Sequence, residues 1–360
     1  MKTKFNLLMW SVLLMLSGLT FTSCSNDDDG PDTFFKPGTT FKEDIKFMRF
    51  RPESDRWEEI ETTFNFTVLD EVYEGLPTVC ISNSPGFSSH LGIFKLSFLF
   101  PVVHEDQYYV PIALGRSCFS GCSNIQTVEV NDMIRDVGSF CFWNCPDLEE
   151  VYFGPKLRNI GGTAFSKCPK LSRLVWNNGD AEVSIGGNAF AECTALEEVN
   201  INVKKAEIDG EVFEECTALK TASISAEELF LGWYIFKDCT ALETVNISSE
   251  ELTVYPLPFY GCTSLKQVTF SSWQEDLEGD IFKDLPKLEL VQIWGGLKTV
   301  KSGAFRDCPS LKAVDLPSTI REIEVGAFEG CTSLQNIIIH GSTHFISTEG
   351  VPEGVTVVYM

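Results

Sequence analysis

Histidine is scarce in this sequence, with four among 360 residues, and basic charge is scarcer than acidic, with 28 Lys and Arg against 51 Asp and Glu. The formal net charge of −23 argues against nucleic acid, whose binding is driven by Lys and Arg releasing condensed counterions, and against docking on anionic lipid headgroups. The acidic residues are spread along the chain rather than gathered in tails, which fits solubility or a cationic partner. So few histidines leave a Ser or Cys nucleophile without an obvious base. No glycine-rich phosphate loop precedes a helical pattern either, since the pairs Gly161-Gly162 and Gly186-Gly187 recur as one repeat's turn. The apolar run Phe5–Leu16 is too short to cross a membrane as a helix. These absences lead to a chain read as no enzyme, with no cofactor and no metal.

What is abundant is phenylalanine, 28 residues against 8 Tyr and 7 Trp, and a recurring slot explains the skew. From Phe119 onward a unit returns at Phe142, Phe165, Phe190, Phe213, Phe236, Phe259, Phe282, Phe305 and Phe328. The spacing is 23 residues throughout, apart from 25 between Phe165 and Phe190, where two extra residues loop out near Asn177–Asp180. Counted from each Phe, position +6 is Leu in nine copies and Ile125 in the tenth, +9 is mostly Val, and +11 is always apolar. The alternation at +9 and +11 is that of a strand with one face inward, so stacked copies predict a parallel sheet with strands ~4.8 Å apart. Position −5 is apolar in all ten, and a short helical turn across Ala-Phe-x-x-Cys would set Phe and Cys on one face. One coil cannot bury that face alone; only stacking closes a core.

Nine of the 13 cysteines occupy position +3, and Leu285 takes that place in one copy, so the slot reads as one for apolar bulk. Parallel side chains ~4.8 Å apart hold Cβ atoms about 1 Å too far apart for disulfides, which predicts a ladder of reduced thiols. Cys118 and Cys141 fall in the small-residue column, so four thiolates at Cys118, Cys122, Cys141 and Cys145 form an alternative zinc set. His340 and His344 would suit a metal on a helix, although Gly341, Ser342 and Thr343 between them favour a turn.

The columns resemble the BspA-type leucine-rich repeat of bacterial surface proteins, with its Ile-Gly-x-x-Ala-Phe-x-x-Cys-x-x-Leu-x-x-Val-x-Ile unit. That resemblance implies an α/β fold, a right-handed β–α solenoid of about ten 23-residue repeats, and a surface role in adhesion or ligand binding. It also implies that the outward residues at +8 and +10 line a concave face. Midway this face is polar, with Asn200, Ser223 and Asn246 at +10; toward the C-terminus it turns apolar and aromatic, with Trp273, Leu290, Trp294 and Ile338. Trp273 and Trp294 are expected to be exposed neighbours, and Trp176, at +11, to be packing. The ten repeat phenylalanines are assigned to the core.

Lys2, Lys4, the apolar run and the ending Phe21-Thr22-Ser23-Cys24 form a secretory signal that resembles a bacterial lipoprotein box, with Phe where Leu is usual. Cys24 would be the acylated residue. The following Asp27–Asp29 resembles the acidic export signal of Bacteroidetes surface lipoproteins, which implies display outside the outer membrane. The expected organisation is a signal peptide at 1–23, a tether at 24–36, a β-rich domain or cap at 37–109, the solenoid at 110–345 and a closing strand at 346–360. Phe87, Ile93, Leu96 and Phe98 match the repeat columns and favour the cap. The functional expectation is a monomeric cell-surface lipoprotein, touching membrane only through its lipid, that binds a host or microbial macromolecule, protein or glycan. A carbohydrate-binding accessory of a glycan-uptake system, or a passive scaffold presenting the N-terminal domain, are the alternatives.

Overall fold

A computed structural model describes residues 40–51, 56–73, 76–83, 94–97, 102–105, 107–123, 125–130, 132–176, 179–272, 274–341, 347 and 349–360. The expected signal segment, Cys24 and the acidic tether lie outside the described residues, as do Phe87, His90, Ile93, Phe98, Trp273 and His344.

Each coil of the array contributes to two parallel sheets. The first is built from the residues around +8 to +12, for example Glu198–Asn202, Gln267–Ser272, Leu290–Gly295 and Asn336–His340. The second is built from short strands ending at −5, such as Asn159–Ile160, Glu182–Ile185 and Lys205–Ile208. In the middle of the array a single long strand serves both sheets, Thr221–Leu231 in one coil and Thr244–Val254 in the next, paired in register. Neighbouring coils meet residue for residue, Asn200 opposite Ser223 and Ser223 opposite Asn246, because the repeat length is constant there.

The third side of each coil corrects the sequence reading. No helix occurs among the described residues; the Ala-Phe-x-x-Cys segment is a pair of tight turns. In all ten coils the residues at −2 and +2 have positive φ, from 55° at Ser117 to 84° at Gly326. A right-handed helix needs an unbroken run of negative φ, and a left-handed residue every fourth position leaves only three residues between breaks. The turns close locally, as Ala189 N–H donates to Gly186 O and Cys193 N–H to Phe190 O. They are tied forward to the next coil, as Phe190 N–H donates to Val212 O and Glu192 N–H to Glu214 O. The fold is therefore an all-β solenoid of about ten turns, not a β–α one.

The core runs the length of this array. All ten repeat phenylalanines are buried, and consecutive rings stack nearly parallel with centroids 4.9 to 6.0 Å apart. Such offset stacks contribute about 0.5–1.5 kcal/mol per pair beyond burial. Phe64 extends the column past Phe119, at 6.0 Å. Trp176 packs on the core as expected, its ring 4.4 Å from that of Phe153.

Residues from Thr40 to Leu114 join the array through both sheets. Thr40–Arg51, Arg56–Tyr73 and Leu76–Asn83 form an antiparallel meander, and the last of these pairs in parallel with Gln107–Leu114. Phe94–Ser97 pairs in parallel with Ile125–Val130, with Leu96 opposite Val128. Both residues are at +9, so this pairing matches the column noted in the sequence. At the far end Thr356–Tyr359 pairs with Asn336–His340 as a last strand.

The cysteine ladder differs from a purely apolar filling. All twelve described cysteines are free. Each thiol from Cys145 to Cys262 lies 3.0 to 3.3 Å from the carbonyl oxygen of the Phe in the preceding coil and donates to it. Cys308 and Cys331 do the same to Phe282 and Phe305, at 2.7 and 3.0 Å. The column thus selects a small donor as well as apolar bulk, and Leu285 gives up that hydrogen bond.

Candidate binding surface

The outward side chains of the first sheet form straight rows, because the coils are in register. The +10 row runs Asn200, Ser223, Asn246, Thr269, Gln292, Asp315, Ile338. Asn200 and Asn246 are exposed, and Ser223 between them is half-buried. The parallel +12 row sets Asn202, Ser225, Ser248 and Ser271 side by side. Inward neighbours Ile201, Ile224 and Ile247 are buried, so the strand alternation alone aims the polar set at solvent. Sequence reading placed Asn200, Ser223 and Asn246 on one face, and the structure brings them into one unbroken line.

This stripe leads into a groove of ≈ 690 Å³ at the corner between the two sheets, whose lining includes Asn202, Lys204, Ser225, Glu227, Ser248 and Glu250. At the corner Ser249 is buried, its Oγ 3.0 Å from Glu227 O and 2.8 Å from Glu251 O. Groove and stripe together offer hydroxyl, amide and carboxylate groups within one surface. No signal in the repeat columns marked Lys204, Glu227 or Glu250, because the corner where one strand passes from sheet to sheet is not visible in a consensus.

Toward the C-terminal end the expected apolar patch is less open. Leu290, Trp294 and Ile338 are each half-buried. Trp294 packs against His340, ring centroids 4.8 Å apart, and its expected partner Trp273 is outside the described residues. Near His340, Asp315 is 8% exposed. Gln292 Nε2 donates to Asp315 Oδ2 at 3.0 Å, and His340 Nε2 is 3.8 Å from the same oxygen. The other carboxylate oxygen, Oδ1, has no hydrogen-bond partner.

Among the described residues these surfaces assemble no reaction centre. Among the described residues no group of three or more His, Cys, Asp and Glu side chains is arranged to hold a metal ion. His340 ends a strand, and His344 lies outside the described residues. Cys118, Cys122, Cys141 and Cys145 are buried repeat-column residues, and burial pushes the Cys122 thiol up to about 11 and the Cys141 thiol higher still. Such thiols stay protonated at neutral pH, the opposite of an activated nucleophile.

The model for the "BspA type Leucine rich repeat region (6 copies)" matches residues 111–220, 179–289 and 231–350, which together span two thirds of the chain. Against curated proteins no sequence matches. Solved structures similar to this chain include the pneumococcal vaccine antigen PcpA, at 17% identity over 82% of this chain and 91% of that one, with a TM-score of 0.36. A leucine-rich repeat protein from Bacteroides ovatus is 20% identical over 82% of this chain and 98% of its own, with a TM-score of 0.29. A leucine rich cell surface protein from Faecalibacterium prausnitzii is 17% identical over 78% and 93%, with a TM-score of 0.26. No enzyme family is indicated, and by the extent of the repeat match the chain belongs to the BspA-type leucine-rich repeat family.

Proposed function

We propose that this protein is a non-catalytic binding module, held on the outer face of the bacterial outer membrane by a lipid on Cys24, that adheres to a host or microbial macromolecule. The observation that carries the reading is the register-aligned row Asn200, Ser223 and Asn246, continuous with the polar corner groove. These hydrogen-bonding side chains lie on the outward side of a sheet whose core is already closed, and they present a pre-organised surface to a partner. The direct experiment is a screen of the purified mature chain against extracellular-matrix proteins and a glycan array. Fatty-acid labelling of wild type and Cys24→Ala tests the anchor; equal labelling of both would remove it from the account.

A second reading, a carbohydrate-binding accessory of a glycan-uptake system, is favoured by the half-buried Trp294, whose ring packs on His340 at the C-terminal end of the face. Sugar rings stack on indoles. Array hits confined to glycans, and weakened by Trp294→Ala, would select this reading over protein adhesion.

A further inference from the structure

A second surface lies away from the polar stripe, on the outer face of the second sheet. Phe230, Trp233 and Tyr255 converge there, with the Tyr255 ring 5.4 Å from Phe230 and 5.7 Å from Trp233. Trp233 is 56% exposed and Tyr255 39%, while Phe230 is half-buried beneath them. Tyr234 and Tyr260 form an edge-on pair at 5.8 Å on the adjoining turns.

The repeat supplies its own control for what the fold requires at these places. Phe230 is at −6, where the other coils from Phe142 onward carry Asp136, Asn159, Ser184, Glu207, Thr253, Asp276, Thr299 and Glu322. Trp233 is at −3, a column that holds Gly in four coils and Ser in two. Tyr255 is at −4, which is Gly in five coils and otherwise charged. The solenoid therefore stacks without an aromatic ring at any of these columns. Three departures in two adjacent coils meet at one exposed spot, and large exposed aromatics gathered in this way mark interaction surfaces.

The charges around the cluster indicate what it takes. In the sheet register Glu207 stands opposite Phe230, and Glu228 and Glu251 stand opposite each other two residues before Phe230 and Thr253. Asp209 is exposed at −4, in the same column as Tyr255 two coils on. The nearby lysines are engaged: Lys205 with Glu228 at 2.5 Å, and Lys237 with Glu214 and Glu211 at 2.5 and 3.6 Å. Glu207, Asp209 and Glu251 take no ion pair among the described residues. Ring faces carry negative electrostatic potential and attract ammonium and guanidinium groups, and carboxylates at the rim add to that field.

We propose that this cluster is a second binding surface, for an arginine- or lysine-bearing segment of a partner protein. The aromatic faces seat the cationic head, and Glu207, Asp209 and Glu251 hold its hydrogen-bond donors. Arginine is favoured over lysine, because the planar guanidinium both stacks on a ring and bonds two carboxylate oxygens. This surface does not depend on the polar stripe being a binding site.

The test is fluorescence anisotropy with a labelled Arg-Gly-Arg-Gly-Arg peptide on the mature chain at physiological salt. Trp233→Ser, Phe230→Thr and Tyr255→Gly each install a residue that another coil already holds in the same column, and unchanged melting confirms the fold. The paired variant Trp233→Ser with Tyr255→Gly should weaken peptide binding about tenfold, and so should Glu207→Gln with Asp209→Asn. A Lys-Gly-Lys-Gly-Lys peptide should bind more weakly than the arginine peptide. No saturable binding by the wild type, or equal affinity for wild type and the Trp233/Tyr255 variant, would overturn the proposal, the second result leaving only diffuse attraction to net charge. Neutral xylohexaose binding that is lost in the Trp233/Tyr255 variant, while peptide binding persists, would overturn it in favour of a glycan platform.

Discussion

The thiol of Cys239 donates a 3.0 Å hydrogen bond to the main-chain carbonyl of Phe213, one coil back, while the same carbonyl accepts Cys216 N–H from its own turn. The bond explains why a repeat that could fill its slot with any small apolar residue uses Cys nine times. Cys239→Leu removes a donor and adds bulk, so it should lower stability by about 1–3 kcal/mol. Cys239→Ser keeps the donor and should perform better than Cys239→Ala, which keeps neither donor nor volume. Urea melts of the three variants decide the order; Leu equal to wild type would return the slot to a purely apolar one.

Truncating the ring column should be worse. Phe236→Ala opens a cavity between two sheets and a turn and breaks the stacks to Phe213 and Phe259. The expected loss is about 3–5 kcal/mol. A loss under 1 kcal/mol by urea titration would mean that the column is not a packed core.

Alkali should unfold the array. Burial pushes the Cys216 and Cys308 thiols up to about 12 and those of Cys122 and Cys331 to about 11. In the unfolded chain they ionise near 8.5. Below that pH both states keep the proton and the thiols are neutral in the balance. Between about 8.5 and 11–12 only the folded state keeps it, so unfolding releases protons and stability falls as pH rises. Each thiol contributes about 1.4 kcal/mol per pH unit in that window. Urea midpoints measured at pH 8 and pH 10 should differ strongly, and Cys→Leu at two of these positions should flatten the slope; equal midpoints would contradict the buried ladder.

The left-handed turn positions give a substitution with the opposite sign. Lys167, exposed at +2, has a φ of 60°. Glycine adopts that conformation without the Cβ clash, so Lys167→Gly should raise stability by up to about 1 kcal/mol, whereas Lys167→Val should lower it. Its ion pair with Glu192 is solvent-exposed and weighs little against this. A midpoint lowered by the glycine would contradict the turn assignment.

These particulars show where the sequence was informative. Strand, core and register were legible because +6, +9 and +11 repeat ten times and a parallel sheet allows only one alignment of identical units. The turn side was misread because Phe and Cys three residues apart share a face in a helix and in a tight turn alike. A discriminating signal was present: position +2 is Gly, Asn or Asp in seven of ten coils, the residues that tolerate positive φ. The stripe of Asn200, Ser223 and Asn246 followed from strand alternation. The exposure of Trp294 did not, because its burial depends on His340, two coils away, leaning over the same row. Phe230, Trp233 and Tyr255 depart from their columns, so no consensus position marks them.

The central claim is that the row through Ser223 is a binding surface. Its most direct test is the affinity of the partner found by the matrix-protein and glycan screen for wild type and for Ser223→Arg, measured by surface plasmon resonance on the immobilised mature chain. Arginine at the middle of the row blocks Asn200 and Asn246 from acting together and leaves the buried face of the strand untouched. Binding weakened at least about tenfold, with an unchanged melting temperature, is the predicted result. Equal affinity for the two proteins would contradict the account and move the binding site off this face.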